Sequence, residues 1–212
     1  MSVPPSSDES ADPGSTMVDL AFTLTGLTLP HGHRQPLAAA LERELPWLPQ
    51  TPGAGMHRLN LSQGGDGQAL LSQRTRLLLR VPRDRVADAL RLQGQVIDLF
   101  GHRLQLGPAQ VRELLPWGSL YAHVVASLSA DEGGFMLEVE VELRRLGLRC
   151  RPICGRRQAL ETDDLQGYSL MLDGLSAADS LGLLQRGIGP PRRLGCGLFV
   201  PHRSAAAVGA RQ

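Results

Sequence analysis

Two rhythms of apolar and polar residues alternate along this chain. Across 18–29, Leu20, Phe22, Leu24 and Gly26 alternate with polar or small residues, the period of a strand. Across 36–48, Leu37, Leu41, Leu45 and Leu48 share one helical face, and Pro36 suits a first turn. Segments 57–61 and 75–81 alternate again, and Gly64, Gly65 and Gly67 between them predict a hairpin. A second helix is expected over 83–92, turning Val86, Ala89 and Leu90 inward. Segments 96–100 and 102–106, on either side of Gly101, read as a final strand with an extra hairpin. The pattern then starts again. A strand is predicted over 120–128 and a helix over 135–146 through Leu137, Val141 and Leu146, although its Val-Glu alternation also permits a strand. Strands follow at 157–161 and 168–172. Ser176 caps a helix over 176–186, with Asp179 where a capping box places an acid, and a last strand covers 197–200.

Each half therefore spells β-α-β-β-α-β, the split βαβ of ferredoxin-like domains. The expected fold is α+β: two tandem ferredoxin-like domains over 17–115 and 116–203. Residues 1–16, rich in Pro, Ser and Asp, are expected to be disordered, and 204–212 to form a second loose tail. Such a fold serves many functions and by itself selects none.

Composition narrows the chemistry. With 42% hydrophobic and 20% charged residues in 212, the chain is an ordinary folded protein. No apolar run approaches a membrane span, and no basic-then-apolar leader opens it, so a cytoplasmic protein is expected. Cys150, Cys154 and Cys196 lack a second pair at zinc-ligand spacing and read as reduced thiols. The net charge of +1 argues against indiscriminate nucleic-acid binding, so any binding charge must be placed locally. All 22 basic residues are arginine. Genomic base composition can cause that bias, but it leaves arginine or protonated histidine as the cation of any site. No carboxylate cluster or His-Cys constellation suggests a metal, and no cofactor is implied.

The segment 187–197 reads Gly-Ile-Gly-Pro-Pro-Arg-Arg-Leu-Gly-Cys-Gly, between the last helix and the last strand. Gly187, Gly189, Gly195 and Gly197 allow positive φ and close backbone approach, and uncovered amides can point at phosphate oxygens. Arg192 and Arg193 would add bidentate donors at its tip. The plain alternative is a helix C-cap glycine followed by a turn with solvated arginines. The order helix–loop–strand excludes a dinucleotide-binding fingerprint.

Glycine, hydrophobic, glycine, five residues, glycine, hydrophobic, glycine resembles the signature loop of the repeat-associated RNA-binding (RAMP) superfamily of CRISPR systems. Leu198-Phe199-Val200-Pro201 continues the likeness, as do residues 174–181, 71–80 and Leu45-Pro46-Trp47-Leu48. Together they resemble the MYXAN subtype of the repeat-processing endoribonucleases over 17–203, essentially the whole predicted fold. The resemblance implies metal-independent cleavage of CRISPR repeat RNA by the 2′-hydroxyl beside the scissile phosphate. It implies crRNA as partner and leaves room for other proteins of an effector complex. Similar proteins carry a histidine leading into the first helix, which points to His33 as general base, with His31 and His57 as second choices. A solvated helix-start histidine is the alternative for His33, and a packed strand position for His57. His102 and His123 read as structural strand residues. For RNA, Arg192 and Arg193 come first, then Arg156 and Arg157, where relatives grip a hairpin stem, then Arg74 and Arg76. Solvated faces are the alternative for the last four. Aromatics make up only 4%, so phosphate and shape contacts should outweigh base stacking. Some relatives use lysine or tyrosine beside the histidine, and the cation that replaces lysine here is not identified by the sequence. A non-catalytic crRNA-binding subunit and a small-ligand regulatory protein are the competing readings.

Overall fold

The computed structural model describes residues 15–65, 67–129, 131–159 and 166–203, so the expected tails at 1–14 and 204–212 lie outside them. Ser15 and Thr16, expected in the tail, belong to the fold. Ser15 is buried, and its hydroxyl donates to Met17 O at 2.7 Å.

The first half runs β1 (Met17–Thr25), β2 (Thr28–Pro30), α1 (Arg34–Glu44), β3 (Gly55–Met56), β4 (Ser62–Gln63), β5 (Gln68–Leu70), β6 (Arg76–Pro82), α2 (Val86–Ala89), β7 (Val96–Leu99) and β8 (His102–Glu113). The second half runs β9 (Ser119–Ser127), α3 (Glu132–Arg145), β10 (Arg151–Ala159), β11 (Gln166–Asp173), α4 (Ala177–Arg186) and β12 (Phe199–Pro201). The large sheet of the first half has the order β3-β6-β1-β8-β7, and the second-half sheet the order β10-β11-β9-β12, all antiparallel. With β7 set aside as an added edge hairpin, each is the fourth-first-third-second order of a ferredoxin-like sheet, as expected.

Four local expectations change. The strand expected over 18–29 breaks at Gly26, where a Cβ would stand 2.9 Å from Arg103 O. β2 then leaves to form a small sheet of order β2-β5-β4. The expected hairpin between 57–61 and 75–81 is replaced accordingly. The glycine turn joins β4 to β5, and only Gly55–Met56 pairs with β6. The second helix shrinks to four residues between 3-10 turns at Arg83–Arg85 and Leu90–Leu92. The strand expected over 157–161 begins at Arg151, and residues 160 and 161 lie outside the described residues. Pro152 and Gly155 lie within β10, an edge strand, where proline and glycine are tolerated.

Helix α3 forms where expected but turns a different face inward. Asp131 caps it, accepting from Gly134 N at 2.8 Å, and Phe135, Val139 and Leu143 are buried. Leu137 and Val141, expected inside, are 64% and 58% exposed. Ser176 caps α4 by accepting from Asp179 N at 3.1 Å, while its hydroxyl donates to the Asp179 carboxylate at 2.8 Å.

Strand parity explains how the halves join. Val18, Leu20 and Phe22 pair across β1 and β6 with Val81, Leu79 and Leu77, and all six are fully buried. Each such side chain stabilises the fold by about 1.5–3 kcal/mol. On the opposite face Asp19 pairs directly with Arg80. The Arg80 guanidinium, 0% exposed, grips Asp19 through Nε and Nη2, both at 2.9 Å. Its Nη1 donates to Leu184 O at 2.8 Å and Phe199 O at 3.0 Å, both in the second half. Burial alone would raise the Asp19 carboxyl, but His57 and Arg80 beside it hold it well below the usual carboxylate range. A polar pair inside two otherwise apolar strands thus locks one domain to the other.

Candidate active site

His33 sits at the N-cap of α1 and is 8% exposed. Its backbone carbonyl accepts the first helical bond, from Leu37 N at 2.9 Å. Its Nδ1 lies 2.9 Å from Pro30 O. A carbonyl only accepts, so Nδ1 carries the proton, and in the neutral ring the lone pair belongs to Nε2. The tautomer of this ring is therefore set by the chain turning from β2 into α1. The positive end of the helix lies at the same place and favours an anion. His33 lines a pocket of about 220 Å³ with His31, Arg34, Arg58, Ser62 and Gln63. Among the described residues no acidic side chain lines it. The small sheet β2-β5-β4, unexpected from sequence, supplies one wall.

From the second half, β9 brings His123 and Tyr121, whose rings meet edge-on with centroids 5.1 Å apart. His202 stands 5.5 Å from Tyr121. His123 was expected to be structural, yet its side chain is exposed. Burial of its surroundings, then the charge of Arg58 and, more weakly, of His57, Arg34 and His202 hold it below the ordinary histidine value. Arg58 and Arg34 of the first half thus lie near enough to act on the ring of a second-half histidine. His102 stays out of it, with its Nδ1 2.8 Å from Thr28 Oγ1 where β8 meets β2. His57 also turns away. It is buried with Nε2 3.3 Å from Asp19 Oδ1, and burial, opposed by Asp19, lowers it. That is the packed strand position, inside the Asp19–Arg80 cluster.

The glycine-rich loop is folded onto the protein. The amides of Gly187, Ile188, Leu194, Gly195, Cys196 and Gly197 donate to Leu183 O, Gly197 O, Pro191 O, Arg192 O, Pro191 O and Val124 O at 2.7–3.3 Å. Amides engaged in this way are not left to cradle a phosphate, which changes the role expected of them. Gly197 (φ +68) is required because a Cβ there would stand 1.8 Å from Ile188 O. Gly189 (φ +64) has nothing within 4 Å. Gly197→Ala should therefore destabilise by roughly 3 kcal/mol, left-handed strain plus a backbone clash, while Gly189→Ala should cost about 1–2. The shift in urea midpoint of the two variants checks this.

The expected arginines are dispersed. Arg192 is folded back, with its Nε buried and without a hydrogen-bond partner among the described residues, in a cavity it shares with Glu138 and Glu142 of α3. Arg193 lies 3.8 Å from Glu42 of α1. Neither stands at a free tip. Arg76 donates to Gln73 O and Thr75 O, fastening its own turn, while Arg74 is exposed beside it. Arg156 and Arg157 are exposed on the edge strand β10, next to its bulge, and Arg157 donates to Gln166 Oε1. Cys150, Cys154 and Cys196 are free thiols, and burial pushes Cys196 up to about 11, which keeps it protonated. Among the described residues no group of three or more His, Cys, Asp or Glu is placed to hold a metal ion, and no helix is long and apolar enough to cross a membrane.

The family model described as Cas6 Crispr matches residues 18–204. The chain belongs to the Cas6 family. The CRISPR-associated endonuclease Cas6 of Myxococcus xanthus (strain DK1622) is 34% identical to it over 194 residues, spanning 90% of this chain and 84% of that protein. Among solved structures, a CRISPR associated protein Cas6 superposes with a TM-score of 0.60 at 10% identity, over 88% of this chain and 100% of that one. An RAMP protein described as binding different RNA substrates gives 0.59 at 11% identity over the same shares. At such identities these structures speak for the fold, which is the Cas6 arrangement of two ferredoxin-like domains. Sequence reading singled out His33 but passed over Arg34 and Arg58, and the only signal for them was their position one residue after a histidine.

Proposed function

We propose that this Cas6-family protein is an endoribonuclease that binds CRISPR repeat RNA and cuts it without a metal ion. His33 is the general base, and its Nδ1 bond to Pro30 O is the observation that carries the reading. Nε2 takes the proton of the 2′-hydroxyl, whose oxygen attacks the adjacent phosphorus. The bond to the 5′-oxygen breaks, that oxygen keeps the electron pair and takes up a proton, and a 2′,3′-cyclic phosphate and a 5′-hydroxyl result. A pocket whose described lining includes two imidazoles and two guanidiniums suits an anionic reacting group. Arg156, Arg157, Arg74 and Arg76 are exposed or half-exposed at separate places, which suits an extended RNA held by phosphate contacts. The loop glycines act through the fold, by the backbone bonds that hold the loop on the protein.

The test is incubation of the protein with its cognate repeat RNA in EDTA, followed by analysis of product ends. One cut per repeat is expected, with a 5′-hydroxyl on one fragment and a cyclic phosphate on the other, and none in RNA carrying a single 2′-deoxy at the cut nucleotide. Cleavage that appears only with added Mg²⁺, or cutting of the 2′-deoxy RNA, would refute the mechanism.

A further inference from the structure

We propose that Arg58 is the catalytic cation that stabilises the phosphorane, a role that rests on the endoribonuclease reading above. In-line attack gathers negative charge on the non-bridging phosphate oxygens, and without lysine this chain must meet it with arginine or protonated histidine. Position eliminates most arginines. Arg80 is enclosed with Asp19, Arg192 faces α3, Arg193 faces Glu42, Arg76 fastens its own turn, and Arg157 is bonded to Gln166 on the far edge of the second sheet. Among the described residues, Arg34 and Arg58 are the arginines that line the pocket holding His33. Arg34 is part-buried in the first turn of α1. Arg58 is exposed at the pocket, and among the described residues its guanidinium has neither a carboxylate nor a carbonyl partner.

The backbone of Arg58 is fixed although its side chain is not engaged. The preceding residue anchors it, His57 N donating to Leu78 O at 2.9 Å. From the other domain Gly195 (φ +83) presses against it. A Cβ on Gly195 would stand 3.2 Å from Arg58 N and from Met56 O, and 3.7 Å from Arg58 Cα. The signature loop, six of whose amides are committed within the fold, thus packs against a first-domain arginine that shares a pocket with a first-domain histidine. The charge of Arg58 also reaches His123 across the domain boundary, where it is the largest single charge effect on that ring. A phosphate between His33 Nε2 and Arg58 would face the base on one side and a bidentate donor on the other. Arg58 forms and breaks no covalent bond; it supplies charge and hydrogen bonds.

The experiment is single-turnover cleavage of repeat RNA at saturating protein, with affinity measured separately on the 2′-deoxy RNA. Arg58→Ala should slow cleavage by roughly 10²–10³-fold, the usual loss for one oxyanion donor, with affinity changed by less than about threefold. Arg58→Lys should recover part of the rate, and Arg34→Ala should lose affinity rather than rate at saturation. An unaltered melting transition for Arg58→Ala, expected for an exposed residue, separates lost chemistry from lost folding. Unchanged cleavage by Arg58→Ala would overturn the assignment, as would full recovery of its rate at saturating protein or a rate loss confined to Arg34→Ala. If the wild type does not cut at all, the nuclease reading fails first, and the role of Arg58 falls with it.

Discussion

His33→Ala should lower single-turnover cleavage of repeat RNA by roughly 10²–10⁴-fold, the contribution of a positioned general base. Binding to the 2′-deoxy RNA should stay within a few-fold, because His33 is 8% exposed and offers little surface to a bound strand. His33→Asn is the sharper variant. Its side-chain amide can still donate to Pro30 O, and asparagine is favoured where a helix begins, so the turn from β2 into α1 is kept while the basic nitrogen is lost. Loss of rate in both variants, with the melting transition of His33→Asn preserved, assigns the effect to proton transfer. Activity retained in His33→Asn would move the base elsewhere, with His31 in the same pocket as the first alternative.

Arg80→Ala should destabilise the protein by about 3–5 kcal/mol, the range for breaking a buried ion pair from one side. The change leaves the Asp19 carboxylate beside an empty space and strips a donor from Leu184 O and Phe199 O. The urea midpoint should fall accordingly. Adding Asp19→Asn to Arg80→Met should recover part of the loss, because no unpaired charge remains buried. The same cluster sets the acid side of the stability profile. Asp19 is depressed in the fold, so its contribution is fully present above the unfolded carboxylate value of about 3.9 and is lost as pH falls below it. His57 is also lowered, by burial, so its loss begins earlier, as pH falls through about 6.5 and the unfolded chain takes up the proton. Urea midpoints measured from pH 7 to pH 5 should therefore fall, and a rise on acidification would contradict this assignment.

Several elements were legible because their signals are local. The alternation in β1, β6 and β9, the spacing of Leu37 and Leu41 in α1, and Ser176 at the head of α4 all act within a turn or a strand. His33 was legible for a related reason, since its place at the start of a helix depends on its neighbours in sequence. Reading failed where a segment's partner lies elsewhere. Pro152 and Gly155 look like breakers until β10 is known to be an edge strand. Leu137 and Val141 look like a core face until Phe135, Val139 and Leu143 are seen to meet the sheet.

The loop shows the division most clearly. Its glycines announce unusual backbone, and their positive φ values agree, but what the backbone approaches is the chain itself: Gly197 against Ile188, Gly195 against Arg58. The sequence by itself determined the twice-repeated succession of strands and helices, the Cas6-like signature, the absence of lysine and the helix-start histidine. Tertiary structure alone decided that Asp19 faces Arg80, that Arg192 turns inward, and that Arg58 joins His33 in one pocket. The first set follows from steric preferences and hydrophobic periodicity acting between near neighbours in the chain. The second follows from hydrogen-bond satisfaction and charge pairing between groups tens of residues apart, which acquire definite distances only when the two sheets close on each other.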